Sequence, residues 1–88
     1  MSEEQKKIAD RLRELLVEGA RLPMTPEELS YDMKLFGEGL ELDSVDVLQF
    51  VALIDNEFGV ALTSDHREYF ETIGTLSAYI ADVLGKNR

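Results

Sequence analysis

The clearest pattern of apolar and polar positions lies in the middle of the chain, where apolar residues recur every three or four positions. This spacing predicts a helix over residues 44–58, with Gly59 as its stop. The residues on its core-facing side are Val47, Phe50, Val51, Ile54 and Phe58. A second apolar set, Val45, Leu48 and Ala52, falls on another face. We therefore expect at least Val45 and Leu48 to be exposed to a partner.

The N-terminal segment has a weaker helical pattern. Its helix begins at Ser2, whose spacing to Gln5 fits a capping box, and Gly19 is the predicted stop. A long connection follows over residues 20–43, in which the sequence TPEEL fits one helical turn with its own capping box. A connection of this length in a small domain usually has a function or carries structure of its own.

Two further helices complete the pattern. A short one is predicted over residues 64–70, and the last begins with Thr75 as its N-cap and ends at Gly85. No segment has the alternation of a good strand. We therefore predict an all-α fold, a small four-helix bundle with a long loop between helices one and two and a short third helix. The length of 88 residues predicts a single domain, 1–88.

Composition and charge exclude several kinds of function. The chain has no cysteine, so it forms neither disulfides nor a thiolate metal site. A net charge of −9 argues against nucleic acid and anionic membranes and suits a basic protein partner, although composition alone favours the simpler interpretation that the acidic residues keep a small domain soluble. Apolar runs are too short for membrane insertion, and the N-terminal MSEEQKKIAD lacks the apolar core of a secretory signal. We expect a cytoplasmic protein.

Catalytic and metal-binding motifs are absent from the sequence. The single histidine, His66, stands in a polar stretch that is typical of a solvated surface residue. The best window for an EF-hand begins at Glu41 and has Val45 at its fifth position, where an oxygen ligand is required. There is no GxxxxGK[ST] phosphate loop. We expect neither an enzyme nor a metal site.

Ser44 lies between two carboxylates at the predicted start of the second helix. Unpaired N–H groups and the helix dipole favour an anionic group at that place, so a phosphodiester on Ser44 would be tolerated. Ordinary capping by Asp43 or Ser44, with Asp46 in the first turn, accounts for the same residues. The local sequence alone therefore favours ordinary capping over a modified serine.

The stretch LFGEGLELDSVDVLQFVALIDNEFGV resembles the core of an acyl carrier protein. Within it, DSVD matches the family's phosphopantetheine attachment motif, D-S-[LV]-D, and the resemblance extends over essentially the whole chain. It implies that 4′-phosphopantetheine, transferred from coenzyme A with magnesium, is attached to Ser44. The thiol of this arm would then carry acyl groups as thioesters for fatty-acid, lipid or polyketide-like biosynthesis. Such a protein is a carrier and not an enzyme.

The resemblance also implies a monomer whose partner surface lies along the second helix. The expected partners are a phosphopantetheinyl transferase and acyl-transferring and acyl-modifying enzymes with basic docking patches. The residues that match the family's partner surface are Asp43, Val45, Asp46, Leu48, Ala52, Asp55 and Glu57.

Some positions depart from the family pattern. Gln49 and Asn56 stand where acidic residues are common, and Val45 replaces a common leucine. These departures favour a specialised carrier over the housekeeping fatty-acid carrier. Two alternatives stay open: an unmodified acidic helical interaction module, and an amino-acyl or peptidyl carrier. Peptidyl carriers often have Gly-Gly before the serine segment, whereas this chain has Glu-Leu-Asp.

Overall fold

The described part of the molecule is helical. The computed structural model describes residues 2–35, 42–63 and 68–86. Its α-helices are α1 (Glu3–Ala20), α2 (Ser44–Phe58) and α3 (Ile73–Lys86), and a 3₁₀ turn spans Pro26–Glu28. Within these ranges, extended pairing is limited to one isolated antiparallel bridge between Lys34 and Thr72. The predicted all-α class is therefore confirmed.

The predicted count of four helices is not confirmed. Residues 68–70 form a 3₁₀ turn, and the rest of the short helix predicted over 64–70 lies outside the described residues. The centre of the fold is α1, which packs against both α2 and α3. Its buried side chains are Ile8, Ala9, Leu12, Leu15 and Leu16, at the spacing of one helical face.

The capping box predicted at the start of α1 forms only in part. The Ser2 hydroxyl accepts a hydrogen bond from the backbone N–H of Gln5 at 3.1 Å. The Gln5 side chain donates instead to the carbonyl of Gly74 at 3.4 Å and to the Ser77 hydroxyl at 3.3 Å. This amide therefore joins α1 to α3, because the fully buried Ser77 offers it a partner across the core.

Gly19 is not the stop of α1, as the sequence had suggested. The helix continues to Ala20, and Arg21 closes it in the left-handed conformation, with φ 53° and ψ 47°. Gly19 instead lies at the contact with α2, where a Cβ would stand 2.7 Å from the Cδ1 atom of Leu53. Its missing side chain allows this close approach of the two helices.

We expect Gly19→Ala to be less stabilising than Gly85→Ala. Each substitution should stabilise its helix by up to about 1 kcal/mol, because alanine has a higher helix propensity than glycine. Gly85 also lies inside α3 rather than ending it, and a Cβ there would meet nothing within 4 Å. At Gly19 the new methyl group must displace Leu53, which offsets the gain. Urea denaturation of both variants tests this, and equal changes in unfolding free energy would contradict it.

The connection after α1 is fixed to that helix by Arg13. Its guanidinium donates to the carbonyl of Leu29 at 2.9 Å and to Asp10 Oδ1 at 2.7 Å, and lies 4.6 Å from the centroid of the Tyr31 ring. The Tyr31 hydroxyl donates to the same carboxylate oxygen, and this bond raises the pKa of Tyr31 above its ordinary value. The connection is therefore ordered at its middle.

The end of the connection is held against the start of α3. The N–H of Leu35 donates to the carbonyl of Glu71 at 3.0 Å, and the N–H of Gly74 donates to the carbonyl of Tyr31 at 2.9 Å. The N–H of Leu42 then donates to the carbonyl of Leu35 at 3.2 Å. These bonds determine where the chain enters α2.

The last helix begins at Ile73, three residues before the first helical position that a cap at Thr75 would give. The N–H of Thr75 donates to the Thr72 hydroxyl at 3.0 Å, and the N–H of Thr72 donates to the Thr75 hydroxyl at 3.0 Å. Thr75 was therefore wrongly predicted as the N-cap, since it occupies the third helical position of a reciprocal cap whose first member is Thr72.

Candidate functional site

Asp43 caps the start of α2. The sequence allowed either Asp43 or Ser44 as the N-cap, and the structure selects Asp43. Asp43 Oδ1 accepts from the N–H of Asp46 at 2.9 Å, and Asp46 Oδ2 accepts from the N–H of Asp43 at 3.4 Å. Each carboxylate thus satisfies an N–H group that the helix itself leaves unpaired. The helix then runs without interruption to Phe58, and Gly59 ends it with φ 69° as predicted.

Ser44 is the first residue of α2 and is not needed for the cap. Its side chain is exposed, and its hydroxyl makes no hydrogen bond to another residue in the described ranges. An oxygen in this position is open to an approaching enzyme, and a negative group on it would lie at the positive end of the helix dipole. The residues present at this site therefore fit an attached phosphodiester.

A groove of about 1040 Å³ opens beside Ser44. Its apolar lining residues are Leu42, Val47, Leu48, Val51, Leu62 and Phe70. Phe70 is held against α2 by an edge-to-face contact with Phe50, with ring centroids 6.3 Å apart at an angle of 77°. Polar groups of Thr63 and Glu68 lie at the same groove. An apolar concavity thus begins at the exposed hydroxyl of Ser44.

The structure confirms that the second apolar face of α2 is exposed. Val45 and Leu48 are 60% and 69% exposed, and they are the large hydrophobic side chains of the described ranges that are most open to solvent. Ala52 and Asp55 are also exposed on this helix. Four of the residues predicted for a partner surface, Val45, Leu48, Ala52 and Asp55, are therefore exposed along α2.

Glu57 differs from the other predicted partner residues because it is paired within the chain. Its Oε1 atom accepts from Arg11 Nη2 on α1 at 3.0 Å, and Arg11 also pairs with Glu14 at 3.1 Å. The hydrogen bond from Arg11 lowers the pKa of Glu57 below its ordinary value. Part of the Glu57 charge is thus compensated, and no local spacing could have predicted a pair 46 residues apart.

Other sequence-based expectations for chemistry have different outcomes. His66 lies outside the described residues. Within the described ranges, no three His, Cys, Asp or Glu side chains form a group that could hold a metal ion. None of the helices in those ranges combines the length and the apolar character needed to cross a membrane.

Comparison with known proteins points to one family. The model of the family described as "Phosphopantetheine attachment site" matches residues 10–80. The chain is 32% identical over 76 residues to the acyl carrier protein of Sulfurovum sp., covering 86% of this chain and 97% of the relative. It is 33% identical over 73 residues to that of Wolinella succinogenes, covering 83% and 92%. The acyl carrier protein of Lactobacillus acidophilus is 26% identical over 80 residues, covering 91% and 94%.

Proposed function

Because this chain belongs to the acyl carrier protein family, we propose that it carries acyl groups as thioesters on a phosphopantetheine arm attached to Ser44. The covalently attached phosphopantetheine is the prosthetic group of this family. The observation that carries the assignment to Ser44 is its exposed hydroxyl on the first residue of α2, while Asp43 and Asp46 make the capping box without it.

The residues around Ser44 have separate roles in this proposal. The attached group supplies a thiol, which the cysteine-free chain lacks. Ser44 Oγ is the atom to be esterified, and the N–H groups of the first turn of α2 stabilise the negative charge of the phosphodiester. The apolar walls of the groove, including Val47, Val51 and Leu62, suit the sheltering of an acyl chain from water.

We further propose that the cargo belongs to a dedicated lipid, polyketide-like or surface-glycan pathway. The exposed face of α2 carries Gln49 and Asn56 where acidic residues are common in the family, and the Glu57 charge is partly compensated by Arg11. Partner enzymes therefore meet fewer free acidic groups than the net charge of −9 suggests. We also propose that residues 1–88 form one domain, supported by the single cluster of buried hydrophobic residues that joins its described helices, and that the protein acts as a cytoplasmic monomer.

Intact-protein mass spectrometry tests the proposed function. The protein is incubated with coenzyme A, magnesium and a broad-specificity phosphopantetheinyl transferase. We expect a gain of one phosphopantetheinyl group per chain. If the folded protein gains nothing while the same transferase modifies another carrier, the unmodified interaction module becomes the better hypothesis. Loading of the modified protein by acyl-activating or aminoacyl-activating enzymes then distinguishes an acyl from an amino-acyl carrier.

We expect Asp46→Lys to reduce kcat/KM for the transferase about tenfold at low ionic strength. The partly exposed carboxylate lies two residues from Ser44, so its reversal removes an attraction for a basic enzyme and adds a repulsion. Raising the salt concentration should bring the kcat/KM of Asp46→Lys closer to that of the wild-type protein, because screening weakens both the attraction and the repulsion.

The control for this charge reversal is Glu27→Lys, which changes the net charge equally at an exposed position in the 3₁₀ turn. Thermal denaturation of both variants checks that the weak 3.4 Å bond lost from Asp46 does not unfold α2. An unchanged kcat/KM for Asp46→Lys at low salt would contradict electrostatic docking at this end of the helix.

A further inference from the structure

The groove beside Ser44 has two sides that come from separate parts of the chain. Lining residues between 42 and 51 form one side, with α2 at its centre, and residues that follow α2 form the other, including Leu62 and Phe70. Among the described residues that line the groove, none belongs to α3. The side at Phe70 is nevertheless held in place from α3, through contacts that lie outside the groove.

Phe70 directly follows Tyr69, whose ring stacks on the ring of Tyr79 in α3. The two ring centroids are 4.3 Å apart, and the ring planes differ by 22°. Stacked aromatic pairs stabilise a structure beyond the apolar area that they bury. Both tyrosines are half-buried and pack at the edge of the core. This tyrosine stack therefore fixes the 3₁₀ turn at residues 68–70 against the side of α3.

The backbone of the same turn is joined to α3 by a shared hydrogen bond. The Thr75 hydroxyl lies 2.9 Å from the carbonyl oxygen of Tyr69 and also 2.9 Å from the carbonyl oxygen of Thr72. A hydroxyl has one proton to donate, so each carbonyl receives only part of this bond. The tyrosine stack gives Tyr69 a second contact with α3 that does not depend on the shared proton.

The position of this turn affects both sides of the groove. The Phe70 ring itself lines the groove. The carbonyl of Glu71 accepts the N–H of Leu35 at 3.0 Å, and the carbonyl of Leu35 accepts the N–H of Leu42 at 3.2 Å. Leu42 lies on the other side of the groove. A displacement of residues 69–71 would therefore move lining residues on both sides.

We infer that Tyr79 is a positioning residue for the acyl cargo: by stacking on Tyr69 it fixes Phe70 as a wall of the groove, and so determines how completely an acyl chain is sheltered from water. This inference rests on the proposed function of Ser44. A fixed wall keeps the apolar surfaces of the groove and the acyl chain in close contact. Without the stack, the wall moves more easily, and the chain leaves the groove more often and exposes its thioester.

The test measures how fast hydroxylamine, a small nucleophile, cleaves the acyl thioester on the attached arm. A broad-specificity transferase loads the protein from octanoyl- or acetyl-coenzyme A, and intact-protein mass spectrometry follows the loss of the acyl group. An acetyl group has almost no chain to bury, whereas an octanoyl group gains from apolar contact. For the wild-type protein we therefore expect octanoyl cleavage to be slower than acetyl cleavage.

Tyr79→Leu keeps an apolar side chain but removes the stack. We expect it to raise the rate of octanoyl cleavage about threefold, within the range that the loss of one aromatic pair allows, and to leave acetyl cleavage unchanged. Tyr69→Leu removes the same stack from the other ring and should have the same effect. If the two rings act together, the double variant is cleaved no faster than either single variant.

Two controls separate the stack from a general loss of packing. Tyr79→Phe retains the ring and should match the wild-type protein in both cleavage rates. Phe58→Leu replaces another half-buried aromatic ring, at the end of α2, which neither lines the groove nor belongs to the stack. Its octanoyl cleavage should also match the wild-type rate. Circular dichroism checks that every variant keeps its helices.

The possible outcomes separate this inference from the proposed function. A selective rise in octanoyl cleavage for Tyr79→Leu and Tyr69→Leu, with both controls like the wild-type protein, supports Tyr79 as a positioning residue. No rise, equal rises for both thioesters, additive effects in the double variant or a rise in either control overturn it and leave Ser44 as the attachment site. Equal octanoyl and acetyl rates in the wild-type protein also overturn it, because no chain is then sheltered. A wild-type protein that is never modified overturns both.

Discussion

We expect Ser44→Ala to gain no mass from coenzyme A and the transferase, whereas the wild-type chain gains one phosphopantetheinyl group. The substitution removes the Ser44 hydroxyl, which is exposed at the start of α2 and takes no part in the cap. No other hydroxyl shares this setting with the family motif at residues 43–46. The expected loss of modification is therefore complete rather than partial.

The same variant should remain folded, because the cap depends on Asp43 and not on Ser44. Alanine is a strong helix former and the position is exposed, so we expect the unfolding free energy to change by no more than about 0.5 kcal/mol. Urea denaturation followed by circular dichroism measures this change. Loss of modification then reports the missing hydroxyl and not an unfolded protein.

Ser2→Ala is the matched control, because Ser2 is a true cap at the start of α1. Its hydroxyl accepts the N–H of Gln5, so removing it should cost about 1 kcal/mol. The two variants are expected to give opposite results: Ser2→Ala is less stable but fully modified, and Ser44→Ala is stable but unmodified. Modification retained in Ser44→Ala would exclude Ser44 as the attachment site.

The sequence was sufficient to predict features that depend on local spacing. The bounds of α2, its stop at Gly59 and the exposure of Val45 and Leu48 were all predicted correctly. Each follows from the helical repeat and from glycine's access to the left-handed region, which need no knowledge of distant residues. The position of Ser44 at the start of that helix was predictable for the same reason.

Features that depend on contacts between distant residues could not be predicted in this way. Glycine often ends a helix, but Gly19 instead contacts Leu53, which is 34 positions away in the chain. The Gln5 side chain does not make the local capping bond predicted for it, because Ser77 and Gly74 offer hydrogen-bond acceptors across the core. The pairing of Arg11 with Glu57 likewise changes the predicted acidic surface only after the helices have packed.

We expect Phe50→Ala to destabilise the protein by about 3–5 kcal/mol, the range for removing a large buried aromatic side chain. Phe50 is 1% exposed and packs edge-on against Phe70, so its loss leaves a cavity where α2 meets the wall of the groove. Small domains are stable by only about 5–15 kcal/mol, so this cost is a large fraction of the total. Urea denaturation measures it directly.

Leu48→Ala is the control for burial, because Leu48 lies on the same helix only two residues away and is 69% exposed. Both substitutions end in alanine, so both keep a good helix former in place, and they differ mainly in the face of α2 that they alter. We expect Leu48→Ala to stay within about 0.5 kcal/mol of the wild-type stability. Similar losses for the two variants would mean that α2 does not present these faces to core and solvent as described. A selective loss for Phe50→Ala would show that Leu48 is not needed for stability, which is the condition for its use in docking.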